Sequence, residues 1–321
     1  MRLACRCGDA CEGWVAATIT LTPMGKASRR RRTTDDQGAP SRRQRTAAVP
    51  YVNRPFEGLP QETEWVAIRE ILPAATVAVR FAEGKAPEGV EGATVATVLP
   101  MAWPALHRAD GTVLIGTQSG SSTGDPSRDL AAQLLAGAAV EPGSAVQHVP
   151  AATAETPRLQ DLLDTSEPLE FVVHEGFDFW VEGQELDEEG QASLDRANES
   201  VVPTRRMSAL PSAYWVRIGE RTYIRLVLPD DEDTATDALA RLHAAAESGL
   251  GEGTRLLGAF RACGLLVPVF EVPADSDPAD HEEALGAFGT RYATALASKE
   301  ALTAEERRAR SGLLSRQVTL R

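Results

Sequence analysis

Cysteine is scarce in this chain. There are four among 321 residues, and three of them, Cys5, Cys7 and Cys11, crowd one end. That distribution does not make a disulfide framework, and a reducing cytoplasm fits it best. Long apolar runs are missing as well, and none approaches the length of a membrane span. Val15 to Leu21 is too short for a secretory signal, and the stretch before it carries no net charge. No complete set of catalytic residues can be assembled from the motifs present. What remains is a chain with a hydrophobic content of 43%, enough for a substantial core.

Charge divides the chain. The formal net charge is −13, yet Met24 to Ala48 carries eight basic residues against two acidic ones. That stretch is +6 and residues 1–23 are neutral, which leaves −19 on 49–321. A basic segment without apolar residues cannot offset its ordering entropy, so residues 1–48 are expected to be a disordered tail. A mis-assigned translation start is one reading of residues 1–23, with Met24 as the alternative beginning. Arg29–Arg32 could contact phosphates weakly and without sequence preference. The segment 24–48 has no aromatic residue for base stacking.

The clearest structural signal is Tyr214 to Thr254. Tyr214, Val216 and Ile218 alternate with Trp215 and Arg217, and Thr222, Ile224, Leu226 and Leu228 alternate with Tyr223, Arg225 and Val227. Period-two alternation predicts two half-buried strands, and Gly219-Glu220 supplies a tight turn between them. Pro229 ends the second strand, and Asp230 to Asp233 place negative charge where a helix begins. Ala235, Ala238, Leu239 and Leu242 then recur at helical spacing, with Gly249 as the expected C-cap. Pro104 to Ser144 repeats the order, with an Asp110-Gly111 turn, an N-cap at Asp125 and a stripe through Leu130 and Leu134. Thr112 matches Thr222 and Gly143-Ser144 matches Gly253-Thr254, each at an offset of 110. The near-constant offset suggests duplication; the alternative is two ordinary hairpin–helix units alike by chance.

The expected fold class is therefore α+β: two related modules, each a mainly antiparallel sheet with helices packed on it. The boundaries are 1–48 for the tail, 49–152 for the first module and 153–321 for the second, with Pro150 to Pro157 as linker. Phe171 to His174 and Phe177 to Val181 read as a hairpin, and Thr254 to Cys263 as a short helix capped by Gly264. Leu265 to Val272 reads as a buried strand. Thr303 with Glu306 forms a capping box that opens a last helix.

From Asn53 to Arg321 the chain resembles an uncharacterised actinobacterial family, catalogued as a domain of unknown function. Carrying the resemblance are Arg54-Pro55-Phe56-Glu57-Gly58-Leu59-Pro60, Val98-Leu99-Pro100-Met101-Ala102-Trp103-Pro104 and Gly251-Glu252-Gly253-Thr254-Arg255-Leu256. Leu302-Thr303-Ala304-Glu305-Glu306 and the residues after it fit as well. No activity comes with the resemblance. Some members carry an N-terminal SEC-C-type zinc motif. Cys5, Cys7 and Gly8 match its beginning, but Ala16 and Ala17 stand where its closing Cys-His pair would fall. Two of four ligands are missing, so no zinc is expected.

Candidate chemistry is sparse, and each feature has a plain structural reading beside the functional one. His174, Glu175, Asp178 and Glu182 gather at one turn and could do acid–base work or hold a metal. Polar residues also belong at a turn. Gly116 to Gly124 precedes a helix start and could bind phosphate through backbone N–H groups, but no P-loop Lys follows. Gly249-x-Gly-x-Gly253 follows a helix and lacks the strand–turn–helix context of a dinucleotide site. His107 and His243 have no evident partners, and Cys263 reads as a small core residue. No catalytic, cofactor or metal residue is assigned. The expectation is a cytoplasmic, non-catalytic interaction or adaptor protein with a protein partner and no membrane contact. The alternative is an enzyme at His174 to Glu182, with or without a divalent metal.

Overall fold

The computed structural model of the chain describes residues 49–119, 122–183 and 185–315. In the first half, helix α1 (Glu62–Glu70) is followed by strands β1 (Ala75–Arg80), β2 (Gly92–Ala96), β3 (Ala105–His107) and β4 (Val113–Gly116). Helix α2 (Pro126–Ala139), strand β5 (Ser144–Val146), helix α3 (Leu159–Leu162) and strand β6 (Phe171–Val173) complete it. These strands form one sheet in the order β5-β3-β4-β2-β1-β6, antiparallel except where β2 runs parallel to β4. After helix α4 (Glu188–Asn198) come strands β7 (Thr204–Arg206), β8 (Ala213–Ile218) and β9 (Arg221–Leu226), then helix α5 (Glu232–Ala244). Strands β10 (Arg255–Ala262) and β11 (Leu265–Val272) and helices α6 (Glu282–Ala297) and α7 (Ala304–Ser315) close the described chain. The second sheet is antiparallel throughout, in the order β10-β11-β9-β8-β7. The fold is α+β with two sheet–helix modules, as the hydrophobic patterning implied.

Alternation along each strand decides which face is buried. In the first sheet Ala75, Val77 and Val79 of β1 and Ala93 and Val95 of β2 face a core built around α1. Trp65, Val66, Ala67 and Ile68 of α1 are fully buried there, with the Trp65 ring 6.0 Å from Phe56 and 5.5 Å from Phe171. The second sheet adds Tyr214, Val227, Leu265 and Val267 to this same core. The other face of the second sheet carries Ile224, Leu226, Leu266 and Phe270 against Leu239, Leu242, Leu285 and Phe288 of α5 and α6. Each such Leu stabilises the fold by about 1.5–3 kcal/mol through apolar area removed from water. The other face of the first sheet is less fully covered: Phe177, Phe179 and Leu194 pack over Ala96 and Leu114.

Three local expectations are corrected. Phe171–Val173 does not form a hairpin with the residues after it. It pairs with β1 at the edge of the first sheet, and Asp178–Trp180 is a 3-10 turn. Arg255–Ala262 is a strand rather than a helix; a bulge between Leu256 and Gly258 disturbs its alternation. Cys263 and Gly264, both at positive φ (46° and 77°), make the two-residue turn into β11. An added Cβ on Gly264 would stand 2.4 Å from the Asn53 carbonyl oxygen, so this turn also needs glycine for close approach. Helix α5 stops before Gly249, because Ala246 takes the left-handed conformation (φ 58°) and Glu247 N–H donates to Leu242 at 2.8 Å. The Thr303–Glu306 capping box is present, with reciprocal bonds of 2.6 and 3.2 Å. Among the described residues no helix is long and apolar enough to cross a membrane.

Candidate functional site

Period-two alternation places Thr76 of β1 and Thr94 of β2 on the less covered face of the first sheet, with Val172 and Leu114 as their cross-strand neighbours. Thr112, at the entry to β4, lies on the same side. His174, one residue beyond β6, bends over these residues, and its Nε2 lies 2.8 Å from the Thr76 hydroxyl. The ring sits 4.9 Å from Phe179. Together with Glu170, Glu182 and Arg108 they line a pocket of about 230 Å³. Burial lowers the His174 pKa, and the nearby Glu182 and Asp178 only partly oppose it, so the imidazole is held neutral more firmly than a free one.

Of the four residues grouped by sequence, the pocket unites His174 with Glu182 alone. Glu175 pairs with Arg205 at 2.5 Å on the surface, and Asp178 accepts from Asn198 at 3.4 Å. Among the described residues no three His, Cys, Asp or Glu side chains form a metal-binding group. Sequence reasoning missed Arg108, Glu170 and the threonines. The signal for Thr76 and Thr94 was their place at the polar positions of β1 and β2.

A second polar cluster is buried between the modules. Glu64 of α1, 4% exposed, accepts both Arg206 Nη atoms at 2.7 and 2.9 Å, the Ser212 hydroxyl at 2.9 Å and the Tyr214 phenol. Ser212 also bonds Thr63 at 2.7 Å, and Arg206 reaches the Phe171 carbonyl at 3.0 Å. Burial and the Glu64 charge raise the Tyr214 pKa, so the phenol keeps its proton and serves as a donor. Each carboxylate oxygen of Glu64 accepts two of these bonds, which suits a latch between α1, β6, β7 and β8.

Beside it lies an apolar groove of about 450 Å³, between α6, the Leu210-Pro211 loop and the segment that leaves β9. Leu228, Phe288, Ala293 and Leu296 line it, and among the described residues Asp230 is its one charged wall residue. Tyr292 donates to Asp230 at 2.8 Å, and burial raises the phenol pKa, with Asp230 adding to the effect. Small residues on α6 leave the space: an added Cβ on Gly289 would come within 2.6 Å of Leu210. The loop is held by Glu282, which accepts the Ser208 and Ala209 amides at 2.8 and 2.7 Å. Burial works against its charge, but those two amides keep its pKa below the usual carboxylate value.

The remaining sequence candidates are accounted for locally. At the Gly116 to Gly124 loop the Asp129 carboxylate accepts the Thr123 amide and hydroxyl at 3.0 and 2.7 Å. A negative charge thus already sits where a phosphate would bind. Gly120 to Gly124 spells Gly-x-Ser-x-Gly, but β4 ends at Gly116 and α2 starts at Pro126, so Ser122 is not on a sharp strand-to-helix turn. Gly120 and Ser121 lie outside the described residues. Gly249 to Gly253 bridges α5 and β10; Thr254 caps it by accepting the Leu250 amide at 2.8 Å. His243 meets Ser248 at 3.1 Å, and His107, which is buried, donates to the Val140 carbonyl at 2.7 Å. Burial, with Glu70 alongside, pushes the Cys263 thiol up to about 12, which disqualifies it as a nucleophile at neutral pH. Cys5, Cys7, Cys11 and the basic segment with Arg29–Arg32 lie outside the described residues.

Residues 55–321 match the model of a family of unknown function, DUF5926. The chain belongs to this family. No curated protein and no solved structure matches the chain. DUF5926 membership covers both sheets, the latch, the groove and the His174 pocket, so all of them belong to one family domain.

Proposed function

We propose that this DUF5926 chain is a cytoplasmic, non-catalytic binding protein. Its groove beside α6 takes an apolar side chain from a basic segment of a partner protein. The observation that carries the reading is the groove itself, about 450 Å³ with apolar walls and, among the described residues, Asp230 as its only charge. Its volume falls within the range of about 300–1,000 Å³ common for binding pockets. The −19 charge of residues 49–321 favours a basic partner and would speed its encounter. The same proposal takes residues 104–144 and 214–254 as copies of one unit. The shared strand–turn–strand–helix order and the matched burial of Leu130 and Leu239 support that.

The test is a selection of random displayed peptides against the full chain. Selected peptides should carry an apolar anchor flanked by Lys or Arg. Ala293→Trp, at an exposed position of the groove wall, should weaken them about tenfold or more without moving the melting temperature. Acidic peptides, or binding indifferent to Ala293→Trp, would count against the groove. An enzymatic reading has separate support in the pocket where His174 meets Glu170 and Glu182. It requires that any turnover found for the protein collapse in His174→Ala.

A further inference from the structure

The pocket beside His174 is one-sided in charge. Among the described residues Arg108 is its only cation, 7% exposed, and it is paired with a carboxylate of its own. Nη2 and Nε contact the Asp110 carboxylate at 2.5 and 3.4 Å, and Nη1 points to the Phe179 carbonyl at 3.5 Å. Asp110 is satisfied in turn, since it also accepts the Thr112 amide at 2.9 Å. The acceptors are not spent. Among the described residues neither Glu170 nor Glu182 has a hydrogen bond or an ion pair. His174 uses Nε2 toward Thr76, which leaves Nδ1 open. With the ring neutral and Nε2–H given to Thr76, Nδ1 carries a lone pair. Ala78, Leu114 and Phe179 supply apolar surface on the same wall.

We propose that this pocket binds a small organic ammonium, its N–H donors shared among Glu170, Glu182 and the His174 Nδ1 lone pair, its alkyl part lying on Leu114 and Phe179. An anion would meet two carboxylates, and the one cation there is already paired with Asp110. Glu170 and Glu182 are exposed to solvent, so a neutral molecule gains nothing from their charge, whereas an ammonium does. The volume of about 230 Å³ is below the range of drug-sized sites, which sets the scale at a short amine or the end of a lysine side chain.

The experiment follows the His174 ring proton by NMR on the full chain, assigned by its disappearance in His174→Asn. The probes are butylammonium chloride, 1-butanol of the same shape without charge, sodium chloride at equal ionic strength, calcium chloride, and N-acetyl-lysine methylamide. Saturable shifts with butylammonium, none with butanol or sodium chloride, and affinity about tenfold weaker in Glu182→Gln at unchanged melting temperature are expected. Glu170→Gln should act in the same direction. A shift with the lysine derivative but not with the free amine upholds the ammonium chemistry and makes its source a partner's lysine. An equal response to butanol, a response to calcium alone, no saturable shift with either amine, or affinity unchanged in the Glu170→Gln, Glu182→Gln double variant would overturn the proposal.

Discussion

The two sheets begin from the same local unit and end in different surroundings. In both, a two-stranded hairpin leads into a helix that covers an apolar face: β3, β4 and α2 in one, β8, β9 and α5 in the other. Leu130 and Leu239, the matching stripe residues, are 1% and 0% exposed. The neighbours differ. β4 has parallel β2 on its outer side, whereas β9 has antiparallel β11. The second sheet is packed on both faces, while the first keeps a row of polar residues on one, and the His174 pocket opens there. A hairpin–helix unit thus fixes one face of a sheet; what packs on the other face decides whether a ligand-sized space remains.

The largest losses are expected in the cores. Leu130→Ala and Leu239→Ala should each cost about 2–5 kcal/mol in denaturant unfolding, since both leave a cavity in a closed core. A large loss for one and little for the other would mean that the units are not equivalent in packing. Next comes the latch that ties the modules together. Arg206→Leu strands the buried Glu64 carboxylate. Complete burial of such a pair would make the loss about 3–5 kcal/mol. The Arg206 side chain is 37% exposed, so about 2–3 kcal/mol is expected by the same measurement.

The helix starts sharpen the contrast at smaller cost. Asp231 caps α5 by accepting the Asp233 and Thr234 amides at 3.1 and 3.2 Å. Asp125, expected to cap α2 in the same way, makes no such bond; it lies 1% exposed between Arg128 and Arg158 at 3.2 and 3.3 Å. Asp125→Ala should therefore cost about 2 kcal/mol by leaving two cations unpaired. Asp231→Ala should cost about 1 kcal/mol, the usual loss of a cap. Equal losses would remove the distinction.

The smallest effect is in pH. His174 beside the first sheet and His281 beside the second both have pKa values lowered, chiefly by burial, against the opposing pull of Glu182 and Asp178 or of Asp280. Below the ordinary value of 6.5 the unfolded chain takes up these protons first. Stability should therefore fall as pH drops from 6.5 toward the folded pKa values and then stop falling on this account. Melting temperatures across pH 7.5 to about 5 should show this, and His174→Asn or His281→Asn should each flatten part of the slope. A slope unchanged in both variants would assign the effect to other groups.

The Asp110-Gly111 and Gly219-Glu220 hairpins, the helix stripes and the Thr303 capping box were legible in the sequence because period, turn residue and cap agree locally. Arg255–Ala262 was not, since its bulge at Leu256 to Gly258 disrupts alternation and Leu256, Leu257 and Phe260 mimic a helical stripe. The edge pairing of Phe171–Val173 with β1 is a contact nearly one hundred residues apart, which no local pattern encodes. The site was legible only at His174 and Glu182. Glu64 gave no sign of its partners, because Arg206, Ser212 and Tyr214 reach it across 142 to 150 residues. The groove depends on small residues of α6, Gly289 and Ala293, that read as ordinary helix surface.

The core around α1, shared by Val77 and Val95 of one sheet, Val267 of the other and Val227 just after β9, makes the two modules one cooperative unit. Scanning calorimetry of the wild type, Leu130→Ala and Leu239→Ala tests it most directly. The shared core predicts a single transition whose calorimetric and van't Hoff enthalpies agree, shifted downward as a whole by either substitution. Two transitions, with each substitution moving only one of them, would contradict it.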